Sequence, residues 1–300
     1  SRPAPRLAFA TFGGRPELTA DDRLAAEALR RRGAVVQPLR WDAPIGEWAS
    51  FDAVIVRSVW DYHLRPLEFL QWVEALERAG TRLLNPPDVL RWNHHKSYLR
   101  HLASQGVATV PTAWVERGAD LDLVGLLADR GWAEAVVKPA ISASAHQTWA
   151  SSRSSAPSDQ GRFHDLLSAG DVLVQPLVPE VRSKGEWSLV FFGGAFSHAM
   201  LKRPREGDFR VQEELGGTAE CREPPSALVE QARQALAAAP APCVYARVDG
   251  VERDGGLVVM ELELIEPVLY LGAEGGAPDR FAGACLDGLG TPRISHAGSE

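Results

Sequence analysis

The sequence predicts an α/β protein built from several lobes, and three observations carry that prediction. Strands alternate with helices from residue 7 to residue 80, a Pro-Pro break falls at 86–87, and a charged two-stranded hairpin spans 245–264. Alternating strands and helices imply a parallel sheet, whereas a hairpin late in the chain implies a separate antiparallel one. The 300 residues, 45% hydrophobic and 24% charged, suffice for two or three packed layers or lobes.

In chain order, Leu7-Ala-Phe-Ala-Thr11 reads as a buried strand. Thr19 then caps a helix that has Asp21 and Asp22 in its first turn and stops at Gly33. Val35 to Leu39 and Phe51 to Arg57 are further strands. A helix from about Leu67 shows Phe69, Leu70, Val73 and Leu76 at helical spacing, with Gly80 as its stop. Asn85-Pro86-Pro87 suits neither a continuous helix nor a central strand and marks a boundary. A helix over Lys96 to Gln105, an extended Val107 to Val115, a helix over Leu121 to Asp129 and a strand Ala135 to Pro139 follow. Ser142 to Gly161, rich in Ser and Ala, has little to anchor it in a core and reads as a mobile loop. Beyond it come strands Val172 to Pro176 and Trp187 to Phe192, a turn at Gly193-Gly194 into Ala195 to Lys202, and a helix from Pro225 to Ala238. The expected units are 1–90, 91–178 with the loop 142–161, and 179–300 with the hairpin.

The net charge of -7 and a pI near 5.7 argue against a nucleic-acid partner, which needs clustered Lys and Arg. Arg30-Arg31-Arg32 ends a helix, where positive charge complements the helix dipole. Cys221, Cys243 and Cys285 show no metal-type spacing and suit a reducing compartment. No apolar run approaches the roughly 18 residues of a membrane span, and residues 1–20 hold no basic stretch followed by an apolar one. A cytoplasmic setting without membrane contact is expected, with a homo-oligomer left open.

The hairpin is the most informative segment. Tyr245 to Val251 and Leu257 to Leu264 flank Arg253-Asp-Gly-Gly256, whose Asp and glycines tolerate positive φ. Symmetric pairing about position 255 sets Asp249 opposite Glu261 and Arg247 opposite Glu263. Alternation then puts Tyr245, Arg247, Asp249, Glu261 and Glu263 on one face, and Ala246, Val248, Met260, Leu262 and Leu264 on the other. Directly opposed acids cost on the order of 0.2 to 1 kcal/mol even when solvated. Two readings remain open here: a solvated acidic face partly neutralised by Arg247, or a site for a hard cation such as magnesium.

These residues resemble the C-terminal signature of the ATP-grasp superfamily, in which an Arg stands two residues before an Asp, and Glu-x-Asn or Glu-x-acid follows on the next strand. Here the pattern is Arg247-Val-Asp249, Glu261-Leu-Glu263 and Pro267, with Glu263 where Asn is usual. The resemblance covers residues 85 to 270 and implies an ATP-grasp fold preceded by a Rossmann-like pre-ATP-grasp domain. It implies that Lys96 and Lys138 contact phosphates, that Gln175-Pro-Leu177-Val178 is the adenine hinge, and that Glu186 accepts from the ribose. Lys202 and Arg203, with Glu206 to Arg210 and Gly216-Gly217, resemble the phosphate and acceptor side of the glutamate-ligase branch. Neither GxxxxGK[ST] nor GxGxxG occurs, so phosphates fall to lysines, arginines and metal. The small-residue loop after the second lysine is Ile141-Ser-Ala-Ser-Ala-His146, without glycine.

Within the superfamily, Val56 to Tyr62 and Gly185 to Gly193 are similar to the antibiotic-biosynthesis branch that contains D-cycloserine synthetase. The resemblance implies an ATP-dependent carbon-nitrogen ligase that makes an acyl phosphate, with Asp249, Glu261 and Glu263 holding one or two magnesium ions, or manganese. Arg247, with Arg210 and Lys202, would stabilise the developing charge. Arg57, Ser58, Trp60 and Asp61, at the end of a first-unit strand, would hold a small amino-acid-like substrate. For that branch the substrate would be O-ureido-D-serine, closing on itself with loss of carbon dioxide and ammonia. An intermolecular carboxylate-amine ligase and a non-catalytic nucleotide-binding module are the alternatives. His63, His94, His95, His101, His146 and His198 fall in no HExxH or triad-like setting.

Overall fold

The computed structural model describes residues 3–143, 145–212 and 215–290. Its first unit runs β1 (Arg6–Thr11), α1 (Ala20–Arg31), β2 (Val35–Arg40), α2 (Ile45–Trp48), β3 (Ala53–Val56), α3 (Pro66–Arg78) and β4 (Arg82–Leu84). The strands form a parallel sheet in the order β2-β1-β3-β4, as their alternation with helices requires. The Thr19 hydroxyl caps α1 by accepting from the Asp22 amide at 3.0 Å. Both faces of the sheet are covered, which is why its strands read as unbroken apolar runs. Ala8, Val54 and Val56 pack against Trp48, Phe69 and Trp72 on one face.

The second unit comprises α4 (Pro87–Asn93), α5 (Tyr98–Ser104), β5 (Ala113–Val115), α6 (Leu123–Asp129), β6 (Glu134–Pro139), β7 (Trp149–Ser152), α7 (Ala156–Ala169) and β8 (Val172–Pro176). Its antiparallel sheet has the order β5-β8-β6-β7 and is covered by α6 and α7 through Leu127, Phe163 and Leu167. The mobile loop expected over 142–161 is corrected here. Trp149 to Ser152 pair with β6, and α7 starts at Ala156. The serines that lower the hydropathy build the corner between them: Ser151 and Ser155 hydroxyls both donate to Asp159, at 2.6 and 2.9 Å. Of the stretch, 142–148 and the turn 153–155 are irregular, and Ser144 lies outside the described residues.

The third unit contains α8 (Glu180–Ser183), β9 (Glu186–Phe192), β10 (Ala195–Arg203), β11 (Thr218–Cys221), α9 (Ser226–Ala237), β12 (Tyr245–Arg253), β13 (Gly256–Glu263) and α10 (Ala277–Gly290). Its antiparallel sheet is ordered β11-β10-β9-β12-β13, with α9 packed on Val248, Leu257 and Leu262. The chain then returns to its beginning. Phe281 of α10 meets Phe9 of β1 edge-on at 6.4 Å and Phe192 of β9 at 5.5 Å, so one helix joins the first sheet to the last.

The hairpin turns on Asp254 and Gly255, with φ of +52° and +78°, the signs a type I′ turn requires. Arg247 opposes Glu263 and Asp249 opposes Glu261, as symmetric pairing predicts, but the register then shifts and Gly250 opposes Val259. This bulge corrects one assignment: Met260 is displaced from the core face and lines the central cavity, while Val259 takes the buried place. Gly250 sits in the shift, where a Cβ would lie 2.5 Å from the Val258 carbonyl oxygen.

Candidate active site

A cavity of about 280 Å³ opens where the three units meet, and the hairpin forms its floor. Two buried asparagines, Asn85 just after β4 and Asn93 at the end of α4, fix that floor to the segment after β4. Asn93 donates to the Leu262 carbonyl at 2.7 Å and accepts from the Leu264 amide at 2.9 Å, using the free edge of β13. Asn85 donates to the Tyr245 and Leu264 carbonyls, both at 2.9 Å. Tyr98 accepts from the Leu262 amide at 3.2 Å. Edge-strand groups that would otherwise be unpaired are thereby satisfied inside the protein.

On the floor, opposite charges alternate. Glu261 receives Lys96 at 3.0 Å and Lys138 at 3.5 Å, one lysine leading into α5 and the other on β6. Arg247 grips Asp249 at 2.8 Å and Glu263 at 2.6 Å, and donates to the Val268 carbonyl at 2.9 Å. Asp249 also accepts from the Ser188 hydroxyl of β9. Lys202 of β10 bonds Glu186 of β9 at 2.6 Å and approaches Asp249 at 3.6 Å. Ligand oxygens of Asp249, Glu261 and Glu263 lie within 4.8 Å of one another.

Burial alone would discharge these groups, so their shifts report their neighbours. Burial works to raise the Glu261 carboxyl, but Lys96 and Lys138 overcome it and hold Glu261 far below the usual carboxylate range. Burial would lower Lys96, yet Glu261 raises it; Lys138 ends lowered, because burial and the nearby Lys96 outweigh its longer contact with Glu261. Glu263 is pushed up, by burial and then by Asp249 and Glu261, despite Arg247. Three carboxylates converge there, two of them sharing the single guanidinium of Arg247. Converging carboxylate oxygens are the donor set a hard divalent cation takes, and the residues present fit magnesium.

Of the expected nucleotide residues, Lys96, Lys138, Gln175, Leu177, Val178, Glu186 and Lys202 all line the cavity. One detail bears on the hinge reading, which rests on backbone groups: the Leu177 amide already donates to the Glu134 carbonyl at 3.0 Å. The Gln175 side chain donates to the Thr112 hydroxyl at 3.0 Å. Arg210 lines the cavity with its guanidinium held by Asp208 at 3.0 Å.

The expected amino-acid residues divide. Trp60 lines the cavity, whereas Arg57, Ser58 and Asp61 do not. Arg57, 3% exposed, bonds Asp22 at 2.7 Å and the Pro267 carbonyl at 2.9 Å and lies over the Tyr245 ring; it is a buried clamp between the first and third units. Ser58 is buried as well. The Asp61 carboxylate is taken by the Trp41 indole and Arg65, each at 2.7 Å. A strand end in an open α/β sheet is a ligand site only where a crevice opens, and here the third unit closes over it.

Sequence reasoning missed Tyr62 and Glu266 as lining residues. The Glu266 carboxyl is pushed up to about 8, by burial first and then by Glu263. Its sequence signal was the Glu-x-x-Glu-Pro run Glu263 to Pro267, which continues an acidic spacing already under discussion.

Residues 7–85 match the family model described as D-cycloserine synthetase DcsG, N-terminal domain. Over 280 residues the chain is 35% identical to the cycloserine biosynthesis protein DcsG of Streptomyces lavendulae, covering 88% of this chain and 92% of that relative. The crystal structure of D-cycloserine synthetase DcsG superposes with a TM-score of 0.85 at 33% identity, over 95% of this chain and 99% of that one. D-alanine–D-alanine ligase from Bacillus anthracis superposes with a TM-score of 0.68 at 16% identity, over 95% and 97% of the two chains. The latter likeness shows the fold alone.

Proposed function

The chain belongs to the D-cycloserine synthetase family of ATP-grasp ligases, and on that premise we propose that it closes O-ureido-D-serine into D-cycloserine at the expense of ATP. The observation that carries the reading is the meeting of Lys96, Lys138, Lys202 and Arg247 with Asp249, Glu261 and Glu263 around one cavity.

A carboxylate repels nucleophiles and lacks a good leaving group, so it is first converted to an acyl phosphate by the terminal phosphoryl of ATP. The ring-forming nitrogen then attacks and phosphate departs, leaving the carbamoyl group on the ring nitrogen; water cleaves that nitrogen–carbamoyl bond, and the carbamic acid released breaks down to carbon dioxide and ammonia. The protein's work is positioning and charge stabilisation. Lys96, Lys138 and Lys202 neutralise phosphate oxygens. Val136, Met260 and Val178 offer the apolar slot for the adenine. Asp249, Glu261 and Glu263 hold magnesium, which when bound screens the phosphate charge. Arg247, fixed by two carboxylates and a carbonyl, presents its guanidinium to the tetrahedral oxyanion. Ser142, Ala143, Ala145 and Thr148, on the cavity wall, keep water from the acyl phosphate.

The test is turnover with magnesium, ATP and O-ureido-D-serine alone, following ADP, ammonia and the ring product by mass spectrometry. Product from a single amino-acid substrate is expected, and a strict requirement for a second amine would replace ring closure by intermolecular ligation. Glu261→Gln should abolish ADP formation, and unchanged turnover would refute the metal assignment.

A further inference from the structure

Five carboxylates line the cavity, and four of them have a cation in contact. Glu186 meets Lys202, Asp249 meets Arg247, Glu261 meets Lys96 and Lys138, and Glu263 meets Arg247. Glu266 has no cation within ion-pair distance among the described residues, although it belongs to the same wall. An unpaired carboxylate in a partly desolvated site is costly; it is relieved by taking up a proton or by pairing with a cation brought from outside.

The position is built, not incidental. On one side the Ile265 carbonyl lies 3.0 Å from the Tyr245 hydroxyl, whose single proton it shares with the Val56 carbonyl at 2.6 Å; on the other the Pro267 carbonyl accepts from Arg57 at 2.9 Å. Glu266 is thus held by its neighbours' backbone while its side chain borders the cavity. The opposing surface comes from the first unit, through Trp60 and Tyr62. Tyr62 is buried and borders the same cavity as Glu266. A phenol and an indole make a wall of low polarity, against which a carboxylate-ammonium pair is stronger than in water.

We infer that the Glu266 carboxylate receives the α-ammonium of the amino-acid substrate and keeps that nitrogen protonated, so that it does not compete with the nitrogen bonded to oxygen. The inference rests on the ring-closure reading above. An α-amino acid carries its ammonium two bonds from the carboxyl carbon, so a carboxyl activated beside Arg247 brings the ammonium to the neighbouring wall. Glu263, the nearer acid in sequence to Arg247, is already occupied by it. A free α-amine would compete as a nucleophile and join two substrate molecules. Paired as ammonium, it has no lone pair to offer, and the nitrogen bonded to oxygen closes the ring.

The experiment compares wild type, Glu266→Gln and Glu266→Asp on O-ureido-D-serine and on its des-amino analogue, reading ADP release. Thermal shift with magnesium and ATP serves as a separate measure of fold and nucleotide site. Glu266→Gln is expected to raise KM for the amino acid by about tenfold or more, the loss of one charge-assisted bond. Its preference for substrate over the des-amino analogue should fall toward one, with the magnesium-ATP shift retained, while Glu266→Asp keeps the preference. A wild-type preference in Glu266→Gln overturns the assignment, and so does loss of the magnesium-ATP shift, which would make Glu266 part of the metal site. A wild type inactive on O-ureido-D-serine instead removes the ring-closure reading and the inference with it.

Discussion

At the residue scale, the site depends on a guanidinium that serves two purposes. Arg247 binds Asp249 and Glu263 and is also the donor proposed for the oxyanion. Lysine can replace its charge but not its fork, which spans two carboxylates and a carbonyl at once. Arg247→Lys is expected to lower kcat by roughly 100- to 1,000-fold, equivalent to about 2.7 to 4 kcal/mol, and steady-state kinetics at saturating ATP would reveal it. Retention of kcat would assign the oxyanion role elsewhere. Bound nucleotide should stabilise the fold: with magnesium-ATP about a hundredfold above its Kd, unfolding free energy should rise by about 2.7 kcal/mol. The same ATP without magnesium, or with Glu263→Gln, should give a smaller gain in a denaturant titration.

At the scale of elements, the hairpin is held in place by side chains from outside it. Asn93 satisfies both a carbonyl and an amide on the free edge of β13. Asn93→Ala would leave both buried and unpaired, costing about 1 to 3 kcal/mol, visible as a lower urea midpoint with unchanged slope. Gly250→Ala should cost a similar amount, about 1 to 3 kcal/mol, because its methyl meets the Val258 carbonyl in the bulge. It should also weaken magnesium-dependent ATP binding, since Asp249 is the next residue. The acidic face, its partners across the strands and the turn were legible in the sequence because alternation and turn chemistry are local. The bulge was not: it depends on how Val259 is gripped by the passing segment at Ala108 and Val110, a contact no local pattern encodes. The serine-rich stretch misled for a related reason, since serines paired to Asp159 look like solvated loop until the strand and helix on either side of them are known.

At the scale of the whole molecule, the first and third units are locked together by Arg57, Asp22 and the Pro267 carbonyl, with α10 behind them. Removing one partner leaves a buried charge uncompensated, so Arg57→Met should destabilise by about 3 to 5 kcal/mol, whereas Arg57→Met with Asp22→Leu should recover much of that loss. If Arg57 held the substrate, as its place after a strand first suggested, the recovered double variant would still show a raised KM. A KM near wild type is expected. The sequence by itself determined the α/β units, the strand alternation, the ATP-grasp signature and the identity of the metal-ligand candidates, because periodicity, turn residues and motif order are properties of neighbouring positions. Only the tertiary structure decided which polar residues face the cavity: it withdrew Arg57, Ser58 and Asp61 into packing and brought forward Tyr62, Met260 and Glu266. The reason is that burial and pairing of a charged side chain are set by elements distant in sequence, and a residue's type does not say which of them will arrive.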